Sequence, residues 1–155
     1  MKIQYVTGDG TKAAERYILH GVNAQGRMGS GFAKALMTAY PRMRQDYIDT
    51  YNAQDQKLHM GQLIWTPGIP HTCISAVTQE FAGNDGGFYV SYDAMASVFE
   101  QLDREAALRN IDAIAMPLIG AGLAGGDWKI ISEIIELSAN HFQPVVYLID
   151  GKVPA

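Results

Sequence analysis

The chain has 155 residues, a formal net charge of −4, 48% hydrophobic residues and a single cysteine. This is the size and composition of one globular domain, residues 1–155, with enough apolar material for a sizeable core. The charge argues against an extended nucleic-acid surface, which needs a basic stripe, and the lone Cys73 excludes an internal disulfide framework.

Ile3 to Val6 reads as a strand that ends at the turn signal Thr7-Gly8-Asp9-Gly10. Tyr17 to Val22 is a second strand, apolar enough to be buried on both faces. Ser30 to about Tyr40 has helical periodicity through Phe32, Leu36 and Met37. Pro41 interrupts it and can start the next helix, which runs to about Asn52. Leu63–Thr66 and Thr72–Thr78 are strands joined as a hairpin around Pro67-Gly68-Ile69-Pro70. The stretch Ala82–Gly87 is the most loop-like and is expected to be mobile. A long helix follows from Ser91 or Tyr92 to Arg109, then a strand over Asp112–Met116, a helix from Trp128 to about Asn140, and a last strand over Val145–Ile149. This alternation predicts a three-layer α/β/α sandwich around a mixed central sheet. No apolar run is long enough to span a bilayer and no secretory leader pattern opens the chain, so the expectation is a cytoplasmic monomer without a membrane partner.

Two glycine-rich loops each lead out of a strand into a helix. The first is Val22-Asn23-Ala24-Gln25-Gly26-Arg27-Met28-Gly29-Ser30-Gly31-Phe32-Ala33; the second is Pro117-Leu118-Ile119-Gly120-Ala121-Gly122-Leu123-Ala124-Gly125-Gly126-Asp127-Trp128. Glycine lets backbone N–H groups approach an anion, and a helix start offers unpaired donors and a positive dipole end. Ligands of open α/β sheets sit beyond the carboxyl ends of the strands, where both loops fall. Together they point to one groove holding a diphosphate, hence a nucleotide ligand. Neither loop combines Gly-x-Gly-x-x-Gly with an acidic residue about 20 positions later, which argues against a dinucleotide-dependent oxidoreductase.

Individual residues carry two readings each. Asp9 can accept from an adenine amino group, or form an Asx-turn or N-cap for a short helix through Ala13-Ala14-Glu15. His20 is either a satisfied core histidine or a proton-handling or nucleophilic group. Asn23 can bind a ribose hydroxyl or shape its own turn. Ser30 is a helix N-cap or a phosphate donor, and Arg27 a phosphate ligand or a solvated surface residue. For Asp127 the spacing favours an N-cap over a general base or water-orienting group. Cys73 reads as a buried small residue, and Trp128 as a packing anchor. His59, His71 and His141 lack metal-ligand spacing, so neither a metal nor a cofactor is expected.

At these residues the chain resembles the macrodomain family of ADP-ribose-binding modules over essentially its whole length. Val6-Thr7-Gly8-Asp9 is similar to the family's opening strand and adenine-binding aspartate. His20-Gly21-Val22-Asn23 with Met28-Gly29-Ser30-Gly31-Phe32-Ala33 is similar to its first ligand loop, and Met116-Pro117-Leu118-Ile119-Gly120-Ala121-Gly122-Leu123 with Trp128 to its second. The histidine and the second-loop pattern resemble the subgroup of yeast-type ADP-ribose 1″-phosphate phosphatases, terminal ADP-ribose glycohydrolases and a chromatin-remodeller reader module.

The resemblance implies adenine near Asp9 and Leu148 or Ile149, and the diphosphate on the amides of Gly29, Ser30, Gly31, Phe32 and Ala33 and of Ile119, Gly120, Ala121, Gly122 and Leu123. It places the distal ribose near Asn23, Gly29 and Ala82–Gly87. The glycohydrolases' lysine and aspartate are matched by Gln79 and Ala124, which cannot supply that chemistry. The expectation is therefore a phosphatase-like hydrolase of the distal ribose, with His20 as nucleophile or acid–base group and Asp127 orienting water or His20. The alternatives are a non-catalytic ADP-ribose binder, or an ADP-ribosyl hydrolase acting on modified protein or nucleic acid.

Overall fold

The computed structural model describes residues 1–154 except Asn84. In chain order the elements are β1 (Gln4–Thr7), a 3-10 turn (Gly10–Lys12), β2 (Tyr17–Asn23), α1 (Gly31–Ala39), α2 (Pro41–Ala53), β3 (Leu63–Thr66), β4 (Thr72–Gln79), α3 (Tyr92–Arg109), β5 (Ala113–Met116), α4 (Trp128–Ser138) and β6 (Gln143–Leu148). The strands form one six-stranded sheet in the order β1-β6-β5-β2-β4-β3. Neighbours are parallel except β3 and β4, which pair antiparallel as the expected hairpin.

Period-two alternation sorts the strand residues between two cores. Leu19, Ile74, Ile114 and Met116 face α3 and α4, packing with Met95, Phe99, Leu102, Ile131 and Ile135. Ile18, Cys73 and Ala115 face the other way, against Leu36 and Met43. Val22, Val77 and Ile64 extend that second face against Tyr47. The three-layer mixed α/β sandwich anticipated from the sequence is the observed architecture. Among the described residues, no helix is long and apolar enough to cross a membrane.

Local chemistry sets the helix ends. Ser91 caps α3 by accepting from the Ala94 N–H at 3.1 Å, and Asn110 closes it in the left-handed region at φ 54°. Asp127 caps α4 by accepting from the Lys129 N–H at 3.0 Å.

Most boundaries agree with the sequence reading to within one residue; three elements differ by more. The turn after Asp9 is a 3-10 turn that stops at Lys12, without a helix through Glu15. Helix α4 stops at Ser138 because the Asp103 carboxylate on α3 takes the N–H groups of Asn140 and His141, at 2.8 and 2.7 Å, and draws the chain off the helix. Strand β6 starts at Gln143, paired with Ala113, and ends at Leu148, leaving Ile149 85% exposed. Within the loop-like Ala82–Gly87, Asn84 lies outside the described residues.

Candidate functional site

Beyond the carboxyl ends of β2, β4 and β5 lies a groove of about 730 Å³. This volume is within the usual range for small-molecule sites. Both glycine loops wall it. On one side are Asn23 and Arg27 to Ala33, on the other Pro117 to Gly120 and Gly122 to Ala124, with His20 to Val22, Thr78, Gln79, Ala82 and Gly83 completing the lining.

The first loop is held by its own asparagine. Asn23 Oδ1 accepts from the N–H groups of Gln25 and Arg27, at 3.0 and 3.3 Å, and its Nδ2 donates to the Arg27 carbonyl at 2.6 Å. The buried Tyr47 hydroxyl donates to the Asn23 carbonyl at 2.6 Å. The side chain is thus engaged in shaping the loop, the turn-forming alternative of its two readings. Ser30 stands at the α1 N-cap position, but its hydroxyl makes no capping bond. The first N–H groups of α1, on Gly31, Phe32 and Ala33, have no intrahelical partner.

The second loop folds back on itself. Ala121 donates to Leu118, Gly125 to Gly122 and Gly126 to Gly120. The amides of Gly122 and Leu123 keep no hydrogen-bond partner among the described residues. The two loops approach closely: a methyl built on Gly31 would lie 3.4 Å from Leu123 Cδ1. Residues with unpaired donors therefore line one space from both sides, an arrangement that suits an anion.

His20 forms part of the floor. It is 1% exposed, its Nε2 lies 2.8 Å from Ser75 Oγ, and its Nδ1 has no partner among the described residues. Burial lowers its pKa to about 4, so the ring is uncharged at neutral pH. Phe32 stands against it, ring centroids 6.4 Å apart. Arg27 is the other ionisable side chain in the described lining, which contains no carboxylate.

Three expected site residues stand outside the lining. Ala121 turns away and spends its N–H on Leu118. Asp9 caps the 3-10 turn, its Oδ1 accepting from the Thr11 N–H and hydroxyl at 2.9 and 2.8 Å; these bonds hold its carboxyl below the usual range. The turn still lies beside the groove, because Gly8 donates to the Leu148 carbonyl at 2.9 Å and Phe32 packs against Gly10. Asp127 is exposed at the start of α4, its N–H donating to the Tyr92 hydroxyl on α3 at 3.0 Å. His20 alternates with Leu19 and so faces α1 and α2, across the sheet from α4. The structure does not bring His20 and Asp127 together.

Sequence reasoning overlooked Thr78 and, as a wall, Ala124, whereas Ala82 and Gly83 belong to the stretch it placed near the distal ribose. The signal available was the end of an apolar strand, where a hydroxyl residue follows Val77. Gln79 lines the groove with its Nε2 donated to the Phe81 carbonyl at 2.7 Å, while Ala124 offers only its main chain, accepting from the Tyr89 N–H at 2.7 Å.

The model of the macro domain family matches residues 19–135, and the chain belongs to that family. It is 28% identical over 152 residues to an uncharacterised 17.5 kDa protein from the tk–vs intergenic region of Enterobacteria phage T4, spanning 94% of this chain and 96% of that one. A Bacteroides thetaiotaomicron protein of unknown function superposes with a TM-score of 0.83 at 25% identity, over 95% of this chain and 98% of its own. A macrodomain variant from Oceanobacillus iheyensis solved with ADPR superposes at 0.74 with 18% identity, over 94% and 83% of the two chains.

Proposed function

We propose that the groove binds ADP-ribose and that the protein hydrolyses a phosphate or ester from the distal ribose. The observation that carries this reading is the pair of loops, each with unpaired amides, that line one groove together with a buried, uncharged histidine. Sheet order supplies the ligand's direction. The Asp9 turn lies at β1 and β6, the two loops follow β5 and β2, and the other end of the groove lies at β4. At ~4.8 Å per strand, β1 to β4 is about 19 Å, a length suited to adenine at one end, diphosphate at the centre and a second ribose at the other. The macrodomain solved with ADPR supports the same ligand class. The expected affinity is micromolar, about −8 kcal/mol.

His20 is the candidate reactive group. If Ser75 accepts from its Nε2–H, the Nδ1 lone pair is left to attack phosphorus; the bond from phosphorus to the ribose oxygen breaks, that oxygen takes a proton from water, and a second water then hydrolyses the phosphohistidine to free phosphate and neutral His20. Asp127, on the other face, serves as the α4 cap in this scheme. A second reading, a non-catalytic ADP-ribose binder, draws on the lack of a carboxylate in the described lining and on the burial of His20.

Incubation of the pure protein with ADP-ribose 1″-phosphate, followed by phosphate release, decides between them. Release by the wild type and at least a hundredfold less by His20→Ala, with ADP-ribose binding retained in calorimetry, is the expected result. Binding without release by the wild type would establish the binder for this substrate. Absence of binding would overturn both.

A further inference from the structure

A second buried polar atom, on a residue that lines the groove, has no part in the reaction just described. Thr78 is 1% exposed, lines the groove, and its Oγ1 has no hydrogen-bond partner among the described residues. Its carbonyl is occupied, accepting from the Ser91 N–H at 2.8 Å, so the hydroxyl alone is left over.

Strand register explains how the hydroxyl comes to be there. Val22 pairs with Val77, but Asn23 pairs with Gln79, so Thr78 is an extra residue on β4 with no opposite number on β2. An insertion of this kind re-aims a side chain, and such features collect beside functional sites. The facing strand makes room. A methyl at Gly21 would lie 2.7 Å from Thr78 Oγ1, with Ile119 Cγ1 next at 3.5 Å. The hydroxyl therefore sits over a bare stretch of β2, against the root of the second loop and on the sheet face opposite His20.

Leaving a buried hydroxyl unpaired costs stability, whereas valine would fill the same shape without that cost. In the empty protein threonine is the poorer choice, so its benefit lies with an occupant of the groove. We infer that Thr78 is a specificity-determining residue whose hydroxyl hydrogen-bonds a sugar hydroxyl in the part of the ligand beyond the diphosphate. The sheet order fixes which part: Thr78 is on β4, on the far side of both loops from the Asp9 turn at β1 and β6. This inference rests on the ADP-ribose reading of the groove.

The test is calorimetry with ADP-ribose and with ADP, which lacks the second sugar, on the wild type, Thr78→Val, Thr78→Ala and Thr78→Ser. The two variants without a hydroxyl should bind ADP-ribose roughly tenfold more weakly and ADP as the wild type does. Thr78→Ser should retain wild-type affinity for both. The unliganded Thr78→Val protein should melt no lower than the wild type, which separates a ligand contact from a structural role. A folded Thr78→Val that binds ADP-ribose normally would overturn the inference and leave the groove reading intact. Equal losses for ADP and ADP-ribose would also overturn it. A wild type that binds no ADP-ribose would overturn both.

Discussion

A methyl added at Gly29 or Gly122 meets no heavy atom within 4 Å, and neither glycine has a positive φ. Both line the groove, so their bareness keeps space open for a ligand. Gly126, four residues along the same loop, differs: its methyl would lie 2.5 Å from the Gly120 carbonyl and 2.7 Å from the Val90 side chain. Gly122→Val should therefore abolish ADP-ribose binding while changing stability by less than about 0.5 kcal/mol. Gly126→Ala should destabilise by roughly 1–3 kcal/mol. Calorimetry and thermal melts of the two variants check the contrast; a Gly122→Val protein that binds normally would show that the ligand does not pass over this amide. In the sequence all these glycines look alike. Which one faces a ligand depends on where the loop is pinned, here by the Gly126 N–H to Gly120 carbonyl bond.

At the scale of elements, strand and helix positions were legible because period-two and 3.6-residue patterns are local. The helix start at Asp127 followed from cap chemistry in the same way. The end of α4 was not legible, since it is set by Asp103, a residue on another helix. Asp127 separates a capping role from a catalytic one. Asp127→Ala should lose about 1 kcal/mol of stability, and Asp127→Asn, still a good cap, much less. Both should bind ADP-ribose as the wild type does and release phosphate at the wild-type rate. A large loss of turnover in a normally stable Asp127→Asn protein would place this side chain in the reaction after all.

For the whole molecule, burying His20 inside the sandwich links folding to pH. Unfolded, the imidazole titrates near 6.5; folded, at about 4. Between these values the unfolded chain takes up a proton that the folded protein refuses. Stability is therefore full above pH ~6.5 and is lost as the pH falls toward ~4, by about 2 kcal/mol between pH 7 and pH 5. Asp103 adds a loss at lower pH. Burial raises its carboxyl, but hydrogen bonds from the His141 ring and from the N–H groups of His141 and Asn140 outweigh that and hold it below its ordinary value. Its contribution disappears as the pH falls through that lowered value. From pH 7 to pH 5 the wild-type melting temperature should drop roughly 4–8 °C more than that of His20→Leu. Parallel drops would show that His20 is not the source.

The chain's local patterns were enough for the layered α/β class, the family resemblance and the two glycine-rich loops, because apolar periodicity and glycine-rich helix starts act over a few neighbouring residues. Partnership between distant side chains was decided only by strand order and register. His20 and Asp127 each follow from their own surroundings in sequence, yet one residue of alternation on β2 turns His20 toward α1, while Asp127 starts a helix on the opposite face. Likewise a single unpaired position on β4 turns Thr78 from an ordinary strand residue into an unpartnered hydroxyl in the groove. Such facts depend on hydrogen bonds between strands far apart in the chain, and no local pattern encodes them.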